Sequence, residues 1–216
     1  MMKTYETCFF DLDGTIVDSS LGITNAVIHS LKKFGIEPPD RKELYSFIGP
    51  PLRDSYAKYY GFDEEKCRKA ILYYREYYQD QGIYENQVYE GLESTLKALK
   101  ERGKKLVVAT SKPEVFAKRI LEYYHLADYF DYVAGMEIGG GRATKVEVIE
   151  YALRACKIEN RSAVIMVGDR MHDVTGAKLA GIDCIGVLYG FGSREELEHA
   201  GASHIVETPQ DILKIV

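Results

Sequence analysis

Short, near-continuously apolar runs alternate with amphipathic stretches over the later two thirds of this 216-residue chain. Lys105-Leu106-Val107-Val108-Ala109, Ala163-Val164-Ile165-Met166-Val167 and Cys184-Ile185-Gly186-Val187 lack polar alternation, the pattern of parallel strands covered on both faces. Between and around them, helical spacing predicts helices over 92–102, 113–124, 145–156 and 174–180. Gly103 and Gly181 follow two of these, where a left-handed residue suits the helix end. An earlier apolar run, Cys8-Phe9-Phe10, adds a strand near the start. The alternation predicts an α/β fold with a Rossmann-like, doubly wound parallel sheet.

Residues 17–87 break this rhythm. Helical patterns run over 19–34, 40–47, 52–60 and 63–79, with Gly35, Pro38-Pro39, Gly49-Pro50-Pro51 and Gly61 as punctuation. No convincing strand falls among them. The reading is a second, smaller all-helical domain over 17–87, acting as a lid, inserted into a core of 1–16 and 88–216.

The composition, 46% hydrophobic and 28% charged, suffices for a substantial core and a satellite domain. No apolar run approaches the ~20 residues that span a bilayer, and Glu6 follows the start closely. Neither a signal nor a transit peptide is expected, and a soluble cytoplasmic protein without membrane partners is. The net charge of −5, with no Lys/Arg block, argues against a nucleic-acid polymer as partner but not against a small anionic substrate. Cys8, Cys67, Cys156 and Cys184 show neither zinc nor redox spacing and are expected to be reduced and structural.

The residues suited to chemistry fall at the ends of the expected strands. Asp11 and Asp13, before Gly14, follow the first. In an open parallel sheet, ligands bind outside the carboxyl ends of the strands. A second pair, Asp169 and Asp173, follows the strand that ends at Val167; a cap of the next helix would explain one of these acids but not both. Four converging carboxylates would repel, and a hard divalent cation with oxygen ligands, Mg²⁺, resolves the conflict. After the strand at 105–109, Thr110 and Ser111 offer hydroxyl and backbone N–H groups to a phosphate, or else an N-cap before Pro113. Lys145 opens a helix after the run Gly139-Gly140-Gly141. A cation is unfavourable at that end of a helix, which suggests an anionic partner.

Asp11-Leu12-Asp13-Gly14-Thr15 with Asp18, then Thr110, then Lys145, then Gly168-Asp169 with Asp173, resembles the four ordered motifs of the haloacid dehalogenase superfamily. The helical insert is similar to that superfamily's C1-type cap. The resemblance implies an Mg²⁺-dependent phosphomonoesterase. Asp11 would be the nucleophile that becomes an aspartyl-phosphate, and Asp13 the general acid and base. Thr110 and Lys145 would hold the transferring group. The metal would be bound by Asp11, the Asp13 backbone carbonyl and Asp169, with Asp173 orienting metal-bound water. Asp13 separates the phosphatases from the dehalogenase branch, which is expected to lack it.

Phe47-Ile48-Gly49-Pro50-Pro51-Leu52-Arg53 resembles the cap loop of phosphoglycolate phosphatase-like members, with Arg53 either reading a substrate anion or simply solvated. The Gly-Asp-Arg-Met-His-Asp variant of the fourth motif looks more like a 5'-nucleotidase-like branch. Phosphoglycolate is therefore the first substrate expectation and a nucleoside monophosphate its rival, with a phosphosugar mutase and a non-enzymatic phospho-receiver behind them. The cap tyrosines Tyr56, Tyr59, Tyr60, Tyr73, Tyr74, Tyr77 and Tyr78 suit packing, in the core or in a dimer, better than base stacking. A small phosphorylated metabolite is the expected partner, and the chain is a monomer or homodimer.

Overall fold

The computed structural model describes residues 4–138 and 141–216. They form two compact units, residues 4–17 with 88–216, and residues 18–87. The chain passes between them at two short strands, β2 (Val17–Asp18) and β3 (Gln87–Val88), which follow β1 (Thr7–Phe10) in chain order.

The larger unit carries the sheet. Beside β1 it contains β4 (Lys105–Pro113), β5 (Tyr132–Met136), β6 (Val164–Gly168), β7 (Asp183–Val187) and β8 (His204–Val206). Their spatial order is β5-β4-β1-β6-β7-β8, and the pairings are parallel. Chain order reverses beside β1, where neighbouring connections leave in opposite directions and open a crevice at the carboxyl ends.

Burial on both faces explains the unbroken apolar runs. Phe9, Val107, Ala109 and Met166 pack with Val148, Ile149 and Ala152 of α6 (Lys145–Ala155) and Val174 and Ala177 of α7 (Met171–Leu179). The alternate residues Cys8, Phe10, Leu106 and Val108 are equally buried. Helices α4 (Leu92–Glu101) and α5 (Glu114–Tyr123) pack against β4 and β5 and bury Leu92, Leu96, Leu99, Ala117, Ile120 and Leu121. Each of these leucines and isoleucines contributes roughly 1.5–3 kcal/mol by leaving water. A last helix, α8 (Arg194–Ala200), buries Leu197 in the cluster under β7.

The smaller unit is built on α1 (Ser20–Lys33), α2 (Leu52–Tyr60) and α3 (Glu64–Tyr78). The two longer helices, α1 and α3, pack together, with Ser30 Oγ donating to Ala70 O at 2.9 Å. The helix expected over 40–47 forms only as a 3-10 turn, Glu43–Phe47, because Pro38-Pro39 and Gly49 leave no room for regular turns. Tyr56, Tyr74 and Tyr78 are buried; Tyr56 stacks on Phe62 and meets Phe47 edge-on, so these rings build the core of this unit. Tyr59 is exposed. Among the described residues no helix is long and apolar enough to cross a membrane, and Cys8, Cys67, Cys156 and Cys184 are all free thiols.

Candidate active site

Neighbouring strands bring acids to one place. Asp11 directly follows β1, and its N–H donates to Val167 O of β6 at 2.9 Å, which ties the two strand ends together. Asp169 directly follows β6. Asp173 lies in the first turn of α7, where its Oδ2 accepts from Arg170 N at 3.1 Å. It therefore closes the helix start and also faces inward. Oxygens of Asp11, Asp169 and Asp173 lie within 4.8 Å of one another, and all three residues are buried.

Lys145 is the first residue of α6, whose start is fixed by a capping box between Thr144 and Glu147. Its Nζ stands 2.9 Å from Asp11 Oδ1 and 2.7 Å from Asp173 Oδ1, and donates to Ala109 O at 3.1 Å. Burial alone would lower the lysine's pKa, but the Asp11 and Asp173 carboxylates outweigh it and hold the ammonium well above its ordinary value. Burial, opposed by Lys145 and reinforced by Asp11, pushes Asp173 up to about 6. Burial followed by the charges of Asp173 and Asp11 pushes Asp169 well above the carboxylate range. Of the Gly-rich run ahead of Lys145, Gly139 and Gly140 lie outside the described residues.

One lysine does not balance three buried carboxylates. Asp169 Oδ1 is buried without a hydrogen-bond partner, while its Oδ2 accepts from Phe191 N at 2.8 Å. An oxygen-only donor set with excess negative charge and an orphaned oxygen fits a hard divalent cation such as Mg²⁺. Asp11, Asp169 and Asp173 are the side chains that would hold it. Asp173, expected to orient metal-bound water, starts a helix turn that brings its oxygens in among those of the other two.

The backbone crowds these acids. Gly14 has φ +83° and faces the Asp169 carboxylate, where a Cβ would collide. Gly190 and Gly192, in the loop after β7, approach Asp169 equally closely, and Gly168 approaches Asp173. The two glycines of that later loop carry no motif and are visible only in three dimensions.

Asp13 does not join the carboxylate group through its side chain. Both of its oxygens accept from Lys112 Nζ at 2.8 Å, within a nearly buried ion pair. Lys112 was not singled out by the sequence. It belongs to the last stretch of β4, which continues through Pro113 across a register shift between Ala109 and Pro113. Thr110 and Lys112, two apart, are buried, and Ser111 between them is partly exposed. Thr110 Oγ1 accepts from Lys112 N at 3.2 Å. Neither Thr110 nor Ser111 caps the following helix, since both remain strand residues and Pro113 occupies the cap.

The other candidates play local parts. Asp18 Oδ1 accepts from Ser20 N at 2.9 Å at the start of α1. Within the helical unit, Arg53 is exposed and its Nη2 lies 2.7 Å from Glu64 Oε2. The guanidinium already has an anionic partner on its own surface.

Comparison with known proteins agrees with this arrangement. A family model described as haloacid dehalogenase-like hydrolase matches residues 8–187. The chain is 43% identical over 200 residues to a 5'-nucleotidase of Pseudomonas aeruginosa, covering 93% of this chain and 90% of that one. It is 29% identical to phosphoglycolate phosphatase 1 of the same organism, over 94% of this chain and 77% of the other. The crystal structure of a predicted phosphatase from Clostridium acetobutylicum superimposes with a TM-score of 0.94 at 48% identity, covering 98% of this chain and 99% of that one.

Proposed function

The chain belongs to the haloacid dehalogenase-like hydrolase family and is a phosphoric monoester hydrolase, and from that premise we propose that it cleaves nucleoside 5'-monophosphates through an aspartyl-phosphate on Asp11. The observation that carries the mechanism is the meeting of Asp11, Asp169 and Asp173 around the Lys145 ammonium at the carboxyl edge of the sheet.

A carboxylate oxygen of Asp11 attacks phosphorus, and the bond from phosphorus to the ester oxygen breaks. Asp13 gives a proton to the departing oxygen, so the product leaves as an alcohol. Water then attacks the phosphoryl group on Asp11, Asp13 takes the proton of that water, and phosphate and the free carboxylate result. Thr110 and Lys145 hold the non-bridging oxygens through both steps. When bound, Mg²⁺ supplies charge neutralisation for the phosphoryl oxygens. A phosphoenzyme hydrolysed in this way is short-lived, unlike a receiver's.

The cap-loop motif alone puts phosphoglycolate ahead of nucleotides. Two observations favour the reverse order. The relative named as a 5'-nucleotidase is far more similar than the one named as a phosphoglycolate phosphatase, at 43% against 29% identity. Arg53, the residue proposed to read a small carboxylate, is engaged by Glu64.

The test is phosphate release, with Mg²⁺ and after its chelation, from purine and pyrimidine 5'-monophosphates, phosphoglycolate and sugar phosphates. Mg²⁺-dependent release with nucleotides fastest supports the reading. Fastest release from phosphoglycolate overturns the substrate assignment, and release unchanged by chelation overturns the metal dependence.

A further inference from the structure

We propose that Lys112 is a positioning residue for Asp13, holding the carboxylate in the one orientation from which it serves the leaving oxygen. The proposal rests on the hydrolase reading above and extends it to a residue outside the four motifs.

The geometry is that of a clamp. Lys112 Nζ meets both Asp13 oxygens at the same 2.8 Å, which holds the end of the carboxylate toward the ammonium more firmly than contact with a single oxygen would. The side chains are 5% and 12% exposed, so water does little to loosen the pair. Burying two opposite charges costs desolvation that their attraction barely returns, so such a pair is a poor device for stability. A lysine at this position therefore needs another reason.

The chain supplies one. Asp13 lies in a tight turn, with Gly14 N donating to Val17 O at 2.8 Å. Its backbone is held there, but its χ angles are not. Lys112 reaches this turn across 99 positions of sequence, from the stretch of β4 where its register against β5 shifts. The same strand end carries Thr110, so one element sets both a phosphate ligand and the partner of the proton donor. A small misplacement of a catalytic group can cost about 100-fold in rate. Two-point contact is an economical way to prevent it.

In the step concerned, the bond from phosphorus to the ester oxygen breaks and the bond from Asp11 to phosphorus forms, while the Asp13 carboxylate takes up the proton that the substrate's phosphate monoanion brings and passes it to the ester oxygen. An alkyl ester needs that proton, whereas 4-nitrophenolate departs without one. The ratio of kcat/KM between these esters therefore reports on the proton donor, because kcat/KM covers the first transfer.

The experiment compares wild type, Lys112→Met, Asp13→Asn and the double variant. Each acts on the alkyl phosphomonoester that wild type cleaves fastest and on 4-nitrophenyl phosphate, with melting curves for all four. Lys112→Met is expected to lose about 10- to 100-fold on the alkyl ester and less than about threefold on the nitrophenyl ester. On the Asp13→Asn background, Lys112→Met is expected to change neither by more than about twofold, because its effect passes through Asp13. This comparison also removes the burden of a buried, unpaired carboxylate should the single variant melt early. Equal losses on both esters, or a further loss in the double variant, overturn the proposal and leave Lys112 a structural or phosphate-binding residue. If wild type cleaves neither ester, or Asp13→Asn spares the alkyl ester, the hydrolase mechanism itself fails and the proposal falls with it.

Discussion

Lys145 stands 2.9 Å from Asp11 Oδ1, at the start of a helix that begins 134 positions later in the chain. The ammonium thus stands beside the nucleophile, within reach of a phosphoryl oxygen on it, and it also spans to Asp173. Lys145→Met should lower phosphate release by about 10²- to 10³-fold, the range for loss of one group that stabilises transition-state charge. It should also destabilise the protein by about 3–5 kcal/mol at neutral pH, because two buried carboxylates lose their cation. Steady-state assays and melting curves check both, and a variant with normal melting would contradict the buried geometry.

Asp11→Asn should reduce turnover by about 10³-fold or more while the sheet remains folded, since the amide cannot attack phosphorus. Phosphate release and circular dichroism on the same sample check this. Activity within tenfold of wild type would remove Asp11 as nucleophile.

Metal and pH should be linked through Asp169 and Asp173. Both are pushed upward in the folded protein, Asp173 to about 6, while the unfolded chain keeps ordinary values near 3.9. Between these limits the metal-free native state binds more protons than the unfolded one, so its stability falls as pH rises from about 4 through 6. Mg²⁺ offsets the ionised carboxylates, and its addition should raise the melting temperature more at pH 7.5 than at pH 5. An equal shift at both values would separate the metal from these acids.

Arg53→Ala should change kcat/KM by less than about twofold on any substrate of the panel, because the side chain is an exposed partner of Glu64 and such pairs contribute about 1 kcal/mol or less. A loss of tenfold confined to phosphoglycolate would restore Arg53 as a substrate ligand.

Much of this arrangement is legible in the chain itself, and the reasons differ by element. β6 can be read because Val164–Gly168 is buried on both faces and so carries no polar alternation. Edge strand β5 and the short β8 escape notice, since Tyr132–Met136 mixes a tyrosine and a glycine into five residues and His204–Val206 is only three long. The acids after β1 and β6 are found from strand ends alone. Lys112 is not, because its meaning depends on Asp13, which lies 99 positions away and meets it only in the folded chain. Asp173 is half legible for a similar reason: spacing says that it is near Asp169, but only the turn of α7 says how far inward it faces.

Gly14, Gly168, Gly190 and Gly192 leave no room for a Cβ against Asp169 and Asp173. Their tight backbone means that the acids are preorganised when the chain folds, with few alternative rotamers to abandon when substrate arrives. A mutational scan of this protein should therefore find these glycines about as intolerant as the aspartates they enclose. Alanine at Gly190 would silence the enzyme without altering a single reactive atom.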